Sequence, residues 1–256
     1  MMKKMFMYLG VIILGLGFIA CSNDDNDEDN NEKIYRVSKI TARFHIDVED
    51  GDESCVYNYD NQGKIIKCIC NGDYVITYTY KGDQIIVSEP EEEDENVLEN
   101  EILQLNEEGY VSQSYYEVEN VTRMYTYDEL GQILKIEYTD GDIYNFTWNE
   151  GNIVKVVAKT SPYDIITNTY TYSSVENKAD FDFASYLSEY KLCGELYNGL
   201  YFGKPNKNLV LTCQEEEGND TCNYRYEYTF NENGCVEKIL QYEDDILTIT
   251  HIIEYL

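Results

Sequence analysis

Proline is nearly missing from this chain of 256 residues: there are three, against 26 tyrosines. That balance argues against disorder and for a β-rich fold, because aromatic side chains favour strands. Basic residues are scarce too. Nineteen Lys and Arg face 49 Asp and Glu, for a formal charge of −30, which excludes nucleic acid as a partner and disfavours strongly anionic ligands. Histidine is limited to His45 and His251, and no G-x-S-x-G, H-E-x-x-H, Walker or G-x-G-x-x-G motif occurs. With 43% hydrophobic residues the chain can still bury a core, and its length suits one large domain or two small ones.

The apolar run "LGVIILGLGFIA", Leu9 to Ala20, is short for a membrane span. It follows Lys3 and Lys4 and ends on a small residue before Cys21, an arrangement that resembles a bacterial lipoprotein signal. Phe18 and Ile19 stand where a tighter signal has Leu and a small residue. The resemblance implies removal of residues 1–20 and acylation of Cys21, which would hold the protein at a membrane through its N-terminal lipid. "SNDDNDEDNNE", Ser22 to Glu32, contains no apolar residue and reads as a solvated tether, residues 21–33. It is similar to the acidic export signal of surface lipoproteins of Bacteroidota, so an outer-membrane, cell-surface location is expected. As a calcium loop it fails: counted from Asp25, Asn30 and Arg36 occupy the Gly and Glu positions.

Residues 34–256 read as a single domain built on one repeat. "YDNQGKI" (Tyr59–Ile65), "LNEEGYV" (Leu105–Val111), "YDELGQI" (Tyr127–Ile133) and "FNENGCV" (Phe230–Val236) share a ring or Leu, an Asp or Asn, a Gly and an aliphatic; "YKGDQI" and "WNEGNI" are one residue shorter. Asp or Asn bonds its own backbone, and Gly63, Gly109, Gly131, Gly151 and Gly234 supply the left-handed turn position. The count places Tyr59 opposite Ile65, Leu105 opposite Val111, Tyr127 opposite Ile133 and Phe230 opposite Val236. The shorter loops place Tyr80 opposite Ile85 and Trp148 opposite Ile153. Asn71-Gly72 and Asp140-Gly141 turn the far ends of the strands. The fold class expected is all-β: a long antiparallel meander forming one strongly curved sheet or an open barrel or roll. "DFASYLSEY" predicts one short helix near 182–190.

The hairpin resembles the YD repeats of Rhs-type proteins. The stretch Ile34–Leu256, with "WNEGNI", "ENKADFDF" and "GLYFGKPNKNL", is similar to a family of Bacteroidota surface lipoproteins of unknown function. That resemblance implies a fold and a location but brings no activity and no catalytic residue.

Candidate chemistry is sparse. His45 and Asp47 share a strand face, yet a hydrogen-bonded strand histidine explains His45 as well. Tyr57, Tyr59, Tyr78, Tyr80, Tyr125 and Tyr127, with Trp148, form rows that could stack on sugar rings or anchor a surface protein, if exposed. In the repeat's register Cys55 falls opposite Ile69 with Cys68 on the other face. Cys213 and Cys222, flanking "QEEEGNDT", are the best-placed disulfide pair. Cys68 and Cys70 share a face but lack a second pair at ligand spacing, so no metal and no cofactor is expected. The expected function is a monomeric, non-enzymatic, lipid-anchored module that binds a glycan or a surface protein. The alternative is an envelope hydrolase using acidic residues.

Overall fold

The computed structural model describes residues 35–45, 51–90, 98–160, 164–187 and 201–256. The strands are β1 (Val37–Phe44), β2 (Glu53–Tyr59), β3 (Ile65–Cys70), β4 (Tyr74–Lys81), β5 (Gln84–Pro90), β6 (Leu98–Leu105), β7 (Val111–Tyr116) and β8 (Val121–Tyr127). They continue as β9 (Ile133–Tyr138), β10 (Ile143–Asn149), β11 (Asn152–Lys159), β12 (Ile165–Glu176), β13 (Asn208–Glu217), β14 (Asp220–Phe230), β15 (Val236–Glu243) and β16 (Ile246–Tyr255). One helix, α1 (Phe183–Leu187), lies between β12 and β13. Asp182 caps it, accepting from the Ala184 and Ser185 amides. The last residues of the expected helix, 188–190, lie outside the described residues.

Each strand pairs antiparallel with the next, and β1 pairs with β16 from Val37↔Tyr255 to Phe44↔Ile249. The barrel is closed, which corrects the expected open sheet or roll. Sheet twist dictates curl, but not whether two edges meet. Here the first and last strands satisfy each other's backbone groups, and no edge strand remains among the described residues.

The turns show why the repeat works. Asp60 Oδ1 accepts from the Gln62 and Lys64 amides, and Asp128 Oδ1 from those of Leu130 and Gln132, each 2.8–2.9 Å. Gly63 and Gly131 stand at φ +81° and +78°, where a Cβ is strained. The strand pairs Tyr59↔Ile65, Leu105↔Val111, Tyr127↔Ile133 and Phe230↔Val236 follow, as do Tyr80↔Ile85 and Trp148↔Ile153.

The Tyr and Trp rings of the repeats have a second task. At this end of the barrel the ladders between successive hairpins stop early; β7 and β8, for example, pair no further than Gln113↔Met124. In seven of the eight odd strands a carbonyl at or near the start is therefore left without a ladder partner, and an aromatic donor fills the gap. Tyr59 donates to Val37 O, Tyr80 to Ile65 O, Tyr127 to Val111 O and Trp148 Nε1 to Ile133 O. Tyr172, Tyr228 and Tyr255 do the same for Ile153, Val210 and Val236, all seven bonds spanning 2.6–2.8 Å. Burial drives the Tyr80, Tyr127, Tyr228 and Tyr255 hydroxyls well above the usual phenol range, so they stay protonated and able to donate. In β14, which ends in Phe230, the donor is Tyr228, two residues earlier, and β6, which ends in Leu105, has none. There the ladder runs on to Gln84↔Gln104, and the Leu105 amide bonds Asp83 O, so no carbonyl needs filling.

About eight strands can be filled by wall side chains alone, whereas sixteen leave a channel. The described parts of the excursion between β12 and β13, residues 177–187 and 201–207, occupy that space. Phe181 meets Tyr57 of β2 with centroids 6.2 Å apart, Tyr201 meets Tyr80 of β4 at 6.1 Å, and Phe202 meets Tyr125 of β8 at 5.4 Å. Tyr186 meets His251 of β16 at 5.3 Å, and Tyr226 of β14 donates to Leu187 O. Contacts reach strands around the circumference, so the excursion is a plug. Its backbone is stitched to the turns: Lys204 N to Gly131 O, Lys207 N to Gly151 O and Val111 N to Tyr201 O. Asn206, buried, accepts from the Ile153 amide and the Tyr172 hydroxyl and donates to Asp182.

The two faces of the wall differ in kind. Inward positions such as Ile76, Tyr78, Ile136, Phe146, Val156 and Tyr170 are buried in one continuous core. Outward positions alternate with them and carry Lys67, Thr77, Lys135, Glu137, Lys155, Thr169, Arg225, Glu227 and Lys238, interleaved with apolar residues such as Ile69, Val75, Ile86, Ile102, Val157, Leu240 and Ile252.

Candidate functional site

The first candidate lies at the barrel end away from the repeated turns, its second mouth, where inward positions turn from apolar to polar. Leu103 is followed on the same face of β6 by Glu101 and Glu99, and Val87 on β5 by Glu89. Glu89 and Glu99 stand directly opposite across the ladder, a like-charge pairing that costs stability unless donors offset it. Donors are present. Tyr74 OH bonds Glu89 at 3.1 Å, Tyr116 OH bonds Glu99, and Arg123 Nη1 bonds Glu101 Oε1 at 3.0 Å. The Arg123 guanidinium lies 5.2 Å from the Tyr138 ring centroid, and Tyr138 packs on Tyr144. Burial raises the Glu89 pKa, the Tyr74 bond opposes this, and the Glu101 and Glu99 charges add to it. No sequence motif marks these acids among 49; the signal was that they prolong the inward-facing alternation of β5 and β6.

The second candidate is a groove of about 470 Å³ outside the hairpin ends, lined among others by Asn106, Tyr110, Tyr125, Tyr127, Asp128 and Gly131. The Tyr110 ring lies 5.4 Å from that of Tyr127, beside the Leu130 tip. Its volume is within the range of small-ligand sites.

The aromatic residues singled out in the sequence do not form one exposed row. Tyr57, Tyr78 and Tyr125 are buried in the core; Tyr59, Tyr80, Tyr127 and Trp148 are half-buried with their polar atoms committed to strand carbonyls. Tyr125 and Tyr127 line the groove, where the Tyr127 ring meets that of Tyr110, a variable position of the repeat. Gly63, Gly109, Gly131, Gly151 and Gly234 all sit at positive φ at the plugged end.

The cysteines depart from the expected register. Ile66 is an extra residue on β3, and it shifts the ladder so that Cys55 stands opposite Cys70, not Ile69. Cys55 and Cys70 form a disulfide, and Cys68 falls on the same face as both. Cys213 and Cys222, expected as a pair, are not joined: they stand opposite Tyr224 and Glu215. Cys21, Asp47 and Cys193 lie outside the described residues. His45 is exposed with Nε2 2.8 Å from Thr250 Oγ1. His251 is buried between Tyr186 OH (3.1 Å) and Gln241 Oε1 (3.0 Å), and burial lowers its pKa to about 4, so it is neutral at pH 7.

A family model described as a domain of unknown function, DUF4595, with porin-like fold matches residues 57–238. The chain belongs to this family. The DUF4595 barrel is also similar to two crystal structures, both of porin-like proteins. One, from Bacteroides uniformis, superposes with a TM-score of 0.69 at 16% identity over 86% of this chain and 98% of that one. The other, from Bacteroides vulgatus, gives 0.64 at 17% identity over 86% and 99%. At such identities the likeness is one of fold. None of the curated proteins matches the sequence.

Proposed function

We propose that this DUF4595 chain is a lipid-anchored binding module of the outer-membrane surface, with its barrel standing in water and not in the bilayer, and that it is not an enzyme. One observation carries the reading: the outward wall carries basic residues within the spans of its strands. A lipid-facing wall needs an apolar band, and a Lys or Arg at the midplane costs about 2–4 kcal/mol. Lys67, Lys135, Lys155, Lys238 and Arg225 lie within the spans of their strands on that face, so insertion would carry a desolvation cost for each that falls within the hydrocarbon. The plug supports the same reading, since Phe181, Tyr186, Tyr201 and Phe202 stand in the lumen through which a porin would conduct. Cys21 and the acidic tether supply the anchor and the route to the surface. The groove is the ligand site favoured: the Tyr110 ring offers a stacking face, flanked by Asn106 and Asp128 for hydroxyl groups, and the surrounding acidity selects against anions. A neutral glycan fits that chemistry.

The protein purified from outer membranes should give no conductance in planar bilayers and should bind on an array of neutral glycans. Tyr110→Ala should lower that binding at least tenfold. Steady channel currents, or glycan binding unchanged in Tyr110→Ala, would refute the respective half of the proposal. Cys21→Ser should release the protein from the membrane fraction with its fold intact; retention there would reject lipidation.

A second reading, an envelope hydrolase, has the mouth acids in its favour, with Glu89 as proton donor and Glu99 as base. Hydrolysis of a glycan panel that is abolished by both Glu89→Gln and Glu99→Gln would establish it in place of the first.

A further inference from the structure

We propose that Cys55, Cys68 and Cys70 become a three-thiolate site for a soft monovalent cation, Cu(I) or its analogue Ag(I), once the Cys55–Cys70 bond is reduced. The three Sγ atoms lie within 4.8 Å of one another, and Cys68 Sγ is 3.6 Å from Cys70 Sγ. A metal–thiolate bond of about 2.3 Å places three trigonal sulfurs about 4 Å apart, so the cluster needs little adjustment to close on an ion.

The sheet, not a loop, holds the geometry. Cys68 and Cys70 project from one face of β3, two residues apart, and Cys55 stands directly across on β2. A structural bridge uses two sulfurs and gives no reason for a third. Indeed a thiol beside a disulfide sulfur invites exchange, a liability for a bridge serving stability alone. The donor set also selects the ion. Among the described residues the cluster holds three sulfurs and no carboxylate or imidazole. Thiolate-only, three-coordinate sites suit Cu(I), whereas Zn²⁺ takes four ligands and Mg²⁺ or Ca²⁺ need oxygen. Cys68 is fully buried, which keeps water from competing for the ion.

The chemistry balances simply. A dithiol reductant gives two electrons and two protons to the Cys55–Cys70 bond, leaving two thiols and becoming a disulfide itself. The cation then displaces thiol protons to solvent as metal–sulfur bonds form, so affinity rises with pH. In an oxidising compartment the bridge keeps the site shut, and reducing conditions open it.

The test uses the full chain in detergent, reduced with dithiothreitol, freed of reductant without oxygen and titrated with Ag(I), or with Cu(I) buffered by bicinchoninate. Bound metal is measured by elemental analysis and by ultraviolet thiolate-to-metal absorption. The reduced protein should hold one tightly bound equivalent that the oxidised protein lacks. Cys68→Ser, which leaves the bridge in place on oxidation, should weaken binding at least tenfold with an unchanged melting temperature in the oxidised state. Cys68→Ala should match it, and Cys213→Ser should bind as the parent does. Equal affinity in Cys68→Ser and the parent, or equal binding before and after reduction, would overturn the proposal.

Discussion

Replacing Tyr127 by Phe removes one oxygen and nothing else. The ring keeps its contact with Tyr110 and its place opposite Ile133, so any loss of stability belongs to the 2.7 Å bond to Val111 O. That carbonyl lies beyond the last β7–β8 ladder pair, and Val111 is fully buried; a buried acceptor left unmet costs about 1–3 kcal/mol. Water reaching the half-buried Tyr127 position should recover part of that, so a loss of about 1.5 kcal/mol is expected, or about 4 °C in melting temperature for a domain of this size. Tyr242→Phe, which removes a 3.3 Å bond to Glu227 at the surface, is the control and should stay within about 0.5 kcal/mol. Tyr59→Phe and Tyr228→Phe act on distant strands, and the triple variant should lose close to the sum. Leu105→Tyr should gain nothing, because the β5–β6 ladder is complete beside it. Urea midpoints for the set decide the matter. Tyr127→Phe behaving like Tyr242→Phe, or Leu105→Tyr stabilising by as much as Tyr127→Phe destabilises, would refute the assignment of these rings as carbonyl fillers.

Three further outcomes are expected. Gly131→Val should cost about 1–3 kcal/mol and exceed Asp128→Ala, at about 0.5–1.5 kcal/mol; Gly109→Ala, whose added carbon meets nothing, should be milder than Gly131→Ala, whose carbon would lie 2.9 Å from Tyr110, all read from urea midpoints. His251 has its pKa lowered from 6.5 to about 4 by burial, so the unfolded chain takes up the proton first as pH falls. Stability should therefore drop by up to about 3 kcal/mol between pH 6.5 and 4 and be unaffected by this group above pH 6.5. Since Asp180, Asp182 and Glu89, with raised pKa values, act in the opposite sense, the measurement is the difference between the parent and His251→Gln, which should lack this loss. Phe202→Ala, in the plug, should cost about 3–5 kcal/mol in thermal unfolding.

The hairpin register could be read from the sequence because a turn is local: Asp128, Gly131 and the Tyr127–Ile133 contact lie within seven residues. What spans the barrel could not. The pairing of Val37 with Tyr255 joins the two ends of the domain, and neither segment's alternation names its partner. The bulge at Ile66 moved Cys55 from Ile69 to Cys70, since a shift of one residue in a ladder reassigns every later neighbour. The mouth acids were hidden for a different reason. Glu89, Glu99 and Glu101 look like solvated strand-end charges until the register places two of them face to face inside the wall.

The β1–β16 seam also bears on how the molecule comes to be. Every other strand meets its neighbour across a short connection or, at β12–β13, across the plug, whereas Ile40 must find Ile253 at the far end of the domain. Loop-closure entropy grows only as the logarithm of length, yet joining ends some 200 residues apart costs about 3 kcal/mol more than closing a five-residue turn. Zipping should therefore propagate hairpin by hairpin and the ring should seal last. Until the final strand emerges and docks, β1 is a bare template for any passing strand, including the β16 of another copy, so the same seam that completes the monomer offers a route to strand-exchanged dimers during assembly.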